Sequence, residues 1–201
     1  MVLVLATENR NKAKEIASIL QEGAPIEIKT LADFPTVRLP PETGGAYREN
    51  AVQKAVTVAK ATGLWAMGDD SGLEIDALNG APGVYSARFA GEGATYADNR
   101  KKVLDLLKEV PDEKRGARFV CTIALASPEG RVEVVTGGVE GRIARSESGE
   151  EGFGYDPIFF LPAYDKTFSE LPPSEKNKMS HRGPAVRAAM EILRKEFKIK
   201  G

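Results

Sequence analysis

The stretch Val2-Leu3-Val4-Leu5-Ala6-Thr7-Glu8-Asn9-Arg10-Asn11-Lys12 decides the fold, because an apolar run passes directly into a polar loop. Residues 2–6 are continuously apolar, as is typical of a buried strand. Beyond the loop, apolar residues recur at helical spacing from Ala13 to Leu20, and Gly23 marks a stop. The sequence therefore opens with a predicted strand–loop–helix unit.

An acidic segment lies between two further predicted elements. Residues 47–62 carry one apolar face at helical spacing, and Gly63 is a natural left-handed residue at the end of that helix. A short strand at residues 64–67 then runs into Gly68-Asp69-Asp70-Ser71-Gly72, which the residue types predict to be a turn. Alternating polarity over residues 73–77 predicts a half-buried strand after it.

The second half of the chain is predicted to contain more strand than helix in its middle and to close on a helix. The predicted elements are a helix from an N-cap at Thr95 to about Val110, an antiparallel hairpin of residues 117–126 and 131–136, a strand core at residues 158–161, and a last helix from Ser180 or Pro184 to about Lys198. This order predicts an α/β fold with a mixed sheet.

Composition limits the classes of protein that the chain can represent. Its 201 residues suit one domain or two lobes that share a core. The formal net charge of −1 gives no support for binding a nucleic acid polymer. Cys121 is the single cysteine, so an internal disulfide is excluded, and its apolar neighbours predict a buried strand residue. The N-terminal apolar run is too short to act as a signal peptide or to span a membrane, so we expect a cytoplasmic protein without a membrane partner.

The first loop has the features of an anion site. A polar loop between a strand and a helix presents free backbone N–H groups, and the helix dipole favours negative charge there. Thr7 and Asn9 can add short side-chain donors, and Lys12 can add a positive charge. Because a cation in the first helical turn is unfavourable for the helix itself, another group is expected to hold Lys12. The alternative is ordinary helix capping beside a solvated lysine.

The acidic segment offers carboxylates for a metal ion. Two adjacent carboxylates, Asp69 and Asp70, repel each other unless a cation or hydrogen bonds compensate them. Mg²⁺ takes oxygen ligands, usually one or two carboxylates completed by phosphates and waters. Glu42 and Glu49 precede the segment and could reach the same place. The alternative is that these residue types form a tight turn and nothing more.

Two later segments also have candidate binding residues. In Gly152-Phe153-Gly154-Tyr155-Asp156-Pro157, glycines around two aromatics could present a ring face to a base, although a loop packed on the core fits equally. In Ser180-His181-Arg182-Gly183, the only histidine and an arginine stand where the last helix begins, the end at which cations are disfavoured. Such a departure from the usual charge preference of a helix end is expected at functional sites.

Taken together, these segments resemble the inosine triphosphate pyrophosphatase family, also called noncanonical purine NTP pyrophosphatases or XTP/dITP diphosphatases. The match runs in order along the chain, and its further segments are Glu42-Thr43-Gly44, Glu49-Asn50-Ala51-Val52-Gln53-Lys54-Ala55 and Gly80-Ala81-Pro82-Gly83-Val84-Tyr85-Ser86-Ala87-Arg88. Glu8 departs from the small residue that many members carry there. The resemblance implies a single domain over residues 1–201, with two α/β lobes around a long mixed sheet flanked by helices, an active-site cleft between the lobes, and a homodimer.

The resemblance also implies an activity and a set of roles. The reaction is hydrolysis of ITP, dITP or XTP to the monophosphate and pyrophosphate with Mg²⁺. The implied metal ligands are Glu42 and Asp70, with Asp70 also the general base. The implied substrate-binding residues are Thr7, Asn9, Arg10, Asn11, Lys12, Lys54, Ser71, Phe153, Gly154, Tyr155, Asp156, Lys176, His181 and Arg182, of which Phe153 stacks on the purine.

The chemistry of these residue types agrees with that reaction. Cleavage between the α and β phosphates needs an in-line water, a cation on the non-bridging oxygens and positive charge for the leaving pyrophosphate. Lys176 and Arg182 are pure donors, suited to the 6-oxo acceptor of hypoxanthine or xanthine. Two alternatives remain open: a phosphatase in which Asp69 forms an aspartyl-phosphate and inorganic phosphate is released, and a nucleotide-binding sensor without turnover.

Overall fold

The computed structural model describes residues 1–23, 25–43 and 45–198 of the chain. The predicted domain of residues 1–201 therefore includes Ala24, Gly44 and residues 199–201, which lie outside the described residues, and Gly44 also belongs to the Glu42-Thr43-Gly44 motif.

The described residues form a mixed sheet with helices, so the predicted α/β fold is confirmed. The seven strands are β1 Val2–Ala6, β2 Glu27–Thr30, β3 Trp65–Ile75, β4 Gly116–Ala126, β5 Val132–Ile143, β6 Phe159–Leu161 and β7 Lys166–Thr167, in the sheet order β2-β1-β3-β4-β5-β6-β7. The helices are α1 Arg10–Gln21, α2 Tyr47–Thr62, α3 Tyr96–Leu106, α4 Pro173–Met179 and α5 Arg182–Phe197. β1 pairs in parallel with β2 and β3, whereas β6 pairs antiparallel with β5 and β7.

Most predicted elements are confirmed, and two of them begin and end at the predicted residues. β1 and α2 have the predicted bounds, and Gly63 ends α2 in the left-handed conformation at φ 67°. Cys121 lies fully buried in β4, as predicted. β5 continues to Ile143, well past the predicted hairpin strand.

Helix α3 begins after the predicted Thr95 cap but ends at Leu106 instead of about Val110. Beyond Leu106 the backbone turns more tightly, since the N–H of Val110 donates to the carbonyl of Leu107. The buried guanidinium of Arg115 donates to the carbonyl oxygens of Leu107 at 2.5 Å and Val110 at 3.5 Å. It also donates to the carbonyl of Ile143 at 2.8 Å. Arg115 thus satisfies backbone acceptors in the segment that follows the helix, where Pro111 has no N–H to donate to the Leu107 carbonyl.

The predicted acidic turn is wrong. Residues 68–72 lie inside the eleven-residue strand β3, which joins the two short strands predicted on either side. Turn-forming residue types were overridden by tertiary contacts, because both carboxylates are buried with compensating partners. β1 pairs with β3 only as far as Ala6 opposite Gly68. The acids therefore follow the point where the neighbouring parallel strand ends.

The chain divides into two compact units, and the first contains residues 1–70, 121–137 and 181 onwards. Strand β1 is buried on both faces in this unit. Leu3 and Leu5 belong to a core cluster with α1 and α5, whereas Val4 and Ala6 belong to a second cluster with α2. This alternation follows the period of two of a strand, and it places α1 and α5 on one face of β1 and α2 on the other.

The second unit contains residues 71–120 and 138–180. Its core has an aromatic centre in which the ring of Phe159 lies 4.6 Å from that of Phe119 and 5.1 Å from that of Phe168, centroid to centroid.

Among the described residues, no helix is both long enough and apolar enough to cross a membrane.

Candidate active site

The loop between β1 and α1 caps its own helix. The Asn9 side chain accepts from the backbone N–H groups of Asn11 at 3.0 Å and Lys12 at 3.2 Å, and the Thr7 hydroxyl oxygen accepts from the N–H of Asn9 at 3.2 Å. Arg10 and Asn11 are exposed at the start of α1. The capping interpretation therefore describes the internal hydrogen bonds of the loop, and the two exposed side chains stay available to a ligand.

Lys12 is held by Asp69, whose negative charge compensates the unfavourable position of a cation in the first helical turn. The Lys12 Nζ lies 2.8 Å from Asp69 Oδ1. Burial opposes the charged form of Lys12, but the charge and hydrogen bond of Asp69, together with the charge of Asp70, raise the pKa of the ammonium. The lysine is therefore a firmly charged group at the start of α1.

The two adjacent acids point to opposite faces of β3, because successive side chains of a strand alternate. Asp69 contacts Lys12 of α1 and lies 3.7 Å from the Nε of Arg182, the first residue of α5. Asp70 contacts Asn50 and Lys54 of α2. The sequence suggested that Asp69 and Asp70 repel each other at one place, but each has its nearest cation on its own side of the sheet, Lys12 for Asp69 and Lys54 for Asp70.

Asp70 is buried among groups that hold its carboxylate in place. Its Oδ2 accepts from Asn50 Nδ2 at 2.9 Å, and its Oδ1 lies 3.9 Å from Lys54 Nζ. Burial raises the pKa of the Asp70 carboxyl, and the negative charge of Glu42 adds to this, although Lys54 and Asn50 oppose it. A carboxylate with a raised pKa is a better proton acceptor near neutral pH.

Lys54 also pairs with Glu42, with 2.6 Å between Nζ and Oε1. The two acids proposed as metal ligands thus both face this ammonium. Among residues 1–23, 25–43 and 45–198, no group of three or more His, Cys, Asp or Glu side chains is arranged to hold a metal ion. Glu49, considered from the sequence as a further acid, accepts instead from the backbone N–H of Gly45 at 3.1 Å.

Asn50 is the residue that the sequence analysis missed in this group. It stands four residues before Lys54, and side chains at that spacing share one helix face. Helical spacing from Lys54 would therefore have found it. Its side-chain amide contributes a donor to Asp70 and no charge.

Two glycines let the helices that carry site residues approach the sheet closely. A Cβ at Gly68 of β3 would overlap the carbonyl oxygen of Ala51 and lie 2.9 Å from the backbone N of Ala55, both in α2. A Cβ at Gly137 of β5 would overlap the carbonyl oxygen of His181 and lie 2.9 Å from the N of Ala185. The positions of Asn50, Lys54 and Arg182 relative to the sheet depend on these contacts.

His181 and Arg182 are both buried at the start of α5. The guanidinium of Arg182 donates to Glu15 of α1, a residue that the sequence analysis did not single out. Burial opposes the charge on Arg182, but Asp69 and Glu15 raise its pKa further above its usual high value. The rule against cations at a helix N-terminus is broken here because two carboxylates compensate the charge.

The second unit contains a separate set of predicted site residues around Asp156. The Asp156 carboxylate accepts from Lys176 Nζ at 2.5 Å and from the backbone N–H of Phe153 at 2.7 Å. Lys176 and Asp156 are each about 3% exposed, and Lys176 Nζ also lies 4.9 Å from the centroid of the Phe153 ring. A Cβ at Gly152, whose φ is 80°, would overlap the Asp156 carboxylate, so the glycine is required.

The two aromatics of this loop have different surroundings. Tyr155 is 5% exposed, packs in the core and donates its hydroxyl to the carbonyl of Ser86 at 2.8 Å, and burial raises its pKa. Phe153 stays partly exposed, with Tyr96 6.1 Å away between ring centroids. Phe153 is therefore the ring that can meet a base, whereas Tyr155 fixes the loop.

The remaining two residues of this set are Gly154 and Ser71. The carbonyl of Gly154 accepts from Arg100 of α3 at 2.9 Å, which ties the loop to that helix. Ser71 is half-buried and follows Asp70 directly in β3.

Buried carboxylates paired with lysine and arginine beside a strand–loop–helix unit define an α/β protein equipped to hold an anionic ligand. The chain belongs to the Ham1 family, whose family model matches residues 3–192. Curated relatives include the dITP/XTP pyrophosphatase of Desulforamulus reducens, 49% identical with 98% of each chain covered, and that of Listeria monocytogenes, 48% identical with 92% of this chain and 91% of the relative covered.

Solved structures of the same family share the fold along nearly the whole chain. A HAM1 protein from Coxiella burnetii has a TM-score of 0.87 and 43% identity, covering 97% of this chain and 99% of that one. The Ham1 protein of Staphylococcus aureus has a TM-score of 0.85 and 38% identity, covering 98% and 100%.

Proposed function

We propose that this protein hydrolyses the noncanonical purine nucleoside triphosphates ITP, dITP and XTP to the monophosphate and pyrophosphate. The observation that carries the proposal is the setting of Asp70, a buried carboxylate with a raised pKa between Asn50 and the Lys54 ammonium. Such a carboxylate can accept a proton from water, and the neighbouring ammonium can stabilise a phosphate. The names of the curated relatives support the same reaction.

The roles proposed for the first unit follow from charge. Asp70 orients and deprotonates the attacking water, and Asn50 holds the carboxylate in place. Lys54 and Lys12 stabilise the leaving pyrophosphate, assisted by donors of the loop at Thr7, Asn9, Arg10 and Asn11. Positioned cations that neutralise charge developing in the transition state are the main source of catalysis in phosphoryl transfer.

Magnesium belongs to the proposal, and the residues present fit it. Glu42 Oε1 and Asp70 Oδ1 lie 2.6 and 3.9 Å from the Lys54 ammonium, so both carboxylates already face a cation. Mg²⁺ commonly binds through one or two carboxylates together with substrate phosphates. When bound, the ion supplies charge neutralisation on the phosphate oxygens. Full turnover of ITP with EDTA present would contradict this part.

The roles proposed for the second unit and for the start of α5 concern the base and ribose. Phe153 stacks on the purine, and Lys176 with Arg182 donates toward a 6-oxo group, with Asp156, Ser71, Gly154, Tyr155 and His181 completing the set. Adenine has a donor at that position and leaves the protein donors unpaired, which disfavours it by a factor on the order of 10⁴ in a site built around such bonds.

The phosphatase alternative is disfavoured by the surroundings of Asp69. Its side chain is fully buried, and one oxygen is occupied by Lys12 while the other faces Arg182. An aspartyl-phosphate needs an oxygen open to the substrate. A sensor without turnover would not need a buried carboxylate held by Asn50 beside the Lys54 ammonium.

Product analysis tests the proposal directly. ITP is incubated with the protein and excess Mg²⁺, and the products are separated by anion-exchange chromatography. We expect IMP and pyrophosphate in equal amounts, and a kcat/KM for ITP far above that for ATP. IDP with inorganic phosphate would favour the phosphatase, whereas bound but intact ITP would favour the sensor.

We further propose a single cooperative domain over residues 1–201 that functions as a homodimer in the cytoplasm, as the resemblance implies. Light scattering after size exclusion should give twice the mass of 21.7 kDa, and denaturant should unfold the chain in one transition. A monomer at micromolar concentration would contradict the dimer.

A further inference from the structure

The Asp69 carboxylate has no part in the reaction outlined above, although it is the most enclosed acid near the site. Its side chain has no exposed surface. It lies on the face of β3 opposite Asp70, so it cannot share the work of that residue. A buried carboxylate is costly unless partners compensate it, and its retention needs an explanation.

Three donors from three different elements surround Asp69. Lys12 Nζ of α1 lies 2.8 Å from Oδ1, Arg182 Nε of α5 lies 3.7 Å from Oδ2, and the Cys121 thiol of β4 donates to Oδ2 at 3.5 Å. Lys12 keeps 16% of its side chain exposed, whereas Arg182 keeps 2%. One carboxylate thus forms ion pairs with two cations that belong to different helices.

We propose that Asp69 is a positioning residue that orients Lys12 toward the phosphates and Arg182 toward the base, without contacting the substrate itself. This inference rests on the proposed function for the roles of the two cations. A lysine has a flexible four-carbon stem, so an ammonium anchored at a fixed carboxylate loses less freedom when it binds a phosphate. Arg182 is anchored on a second side by Glu15.

Binding of inorganic pyrophosphate tests the Lys12 part without any turnover. Isothermal titration calorimetry is performed on the parent, Asp69→Asn, Lys12→Met and the double variant. We expect each single variant to bind pyrophosphate about tenfold or more weakly, the size of a lost charge-assisted hydrogen bond. If Asp69 acts through Lys12, the double variant binds within threefold of Lys12→Met, because the cation that Asp69 orients is already gone.

Two results would overturn the proposal. Independent losses that multiply in the double variant would give Asp69 an action of its own on the ligand. Tighter binding of pyrophosphate by Asp69→Asn would mean that Asp69 competes with the phosphate for Lys12 instead of orienting it. Asp112→Asn is a matched control, since it removes an exposed carboxylate paired with Arg145 at 2.7 Å and should leave the affinity unchanged.

Steady-state kinetics separate positioning from a general structural effect. Asp69→Asn should raise KM for ITP more than it lowers kcat, and it should lower the preference for ITP over ATP through Arg182. An unchanged KM with a large loss of kcat would contradict the proposal. If Asp69→Asn does not fold, the affinities of Lys12→Met and of the double variant for pyrophosphate are compared instead. The double variant lacks the Lys12 ammonium that Asp69→Asn would leave uncompensated.

The outcomes also distinguish this inference from the proposed function. A parent protein that releases no pyrophosphate from ITP would refute the function, while the calorimetric cycle would still report on Asp69 and Lys12. A parent that is active on ITP, with additive losses in the cycle, would refute the positioning role alone.

Discussion

Replacement of Gly68 by alanine should disable the enzyme by moving a helix, although no functional group is removed. A Cβ at this position would overlap the carbonyl oxygen of Ala51 and lie 2.9 Å from the backbone N of Ala55. Both atoms belong to the backbone of α2, which cannot rotate away as a side chain can. The helix must therefore retreat from β3 by roughly one ångström, since interiors are close-packed.

The retreat has two measurable consequences of different size. Overpacking of this kind costs about 1–3 kcal/mol of unfolding free energy. The same movement carries Asn50 and Lys54 away from Asp70, which they contact at 2.9 and 3.9 Å. A misplacement of roughly 1 Å in a catalytic arrangement costs on the order of 100-fold in rate. Activity should thus fall far more than stability.

The assay is pyrophosphate release from ITP, measured beside urea unfolding of the same preparation. Gly45→Ala is the matched control, because a Cβ there has no heavy atom within 4 Å, and both measurements should match the parent. If Gly68→Ala keeps activity within threefold of Gly45→Ala, the contact between Gly68 and α2 does not position the site and the reasoning fails.

Three further predictions concern charge at the site. Asp70→Asn should abolish turnover yet raise the unfolding free energy at neutral pH, because burial and Glu42 raise the pKa of Asp70 and so disfavour its charged form in the fold. Activity within tenfold of the parent, or a lower unfolding free energy, would contradict this prediction. The rate on ITP should fall as pH decreases through the pKa of Asp70, which lies above the ordinary value of 3.8, and a profile that stays flat down to pH 3.8 would refute Asp70 as base. Arg182→Ala should lower the ratio of kcat/KM for ITP to kcat/KM for ATP by at least tenfold, and an unchanged ratio would show that Arg182 does not recognise the base. The same substitution should lower the unfolding free energy by about 3–5 kcal/mol, because Glu15 and Asp69 lose a buried partner.

Elements whose hydrophobic pattern has one interpretation were predictable from sequence. β1 is an apolar run followed by a polar loop, and α2 combines one apolar face with a glycine end, so local pattern and tertiary packing agree in both. α3 was predicted too long because the segment that follows Leu106 leaves the helix, and its carbonyls accept from the side chain of Arg115, which is not part of the helix pattern. A side-chain donor outside the helix leaves no periodic trace in a sequence.

The acidic segment shows where sequence reasoning ends. Asp, Ser and Gly favour turns when they are solvated, but here both carboxylates are compensated by residues far away in the chain, and the strand continues through them. The expectation that something holds Lys12 was sound, because it rested on a local electrostatic cost. Its partner, Asp69, could be identified only in three dimensions.

The placement of α5 has a consequence for how the chain is made. The core cluster that buries β1 and α1 includes Ala185, Ala189 and Leu193, which come from the last helix of the described chain. During synthesis at about 5–20 residues per second, β1 and α1 therefore wait on the order of ten seconds for the segment that covers them. The second unit, residues 71–120 and 138–180, is fully translated before that segment arrives. The core of β1 and α1 is thus completed only after the second unit has been made.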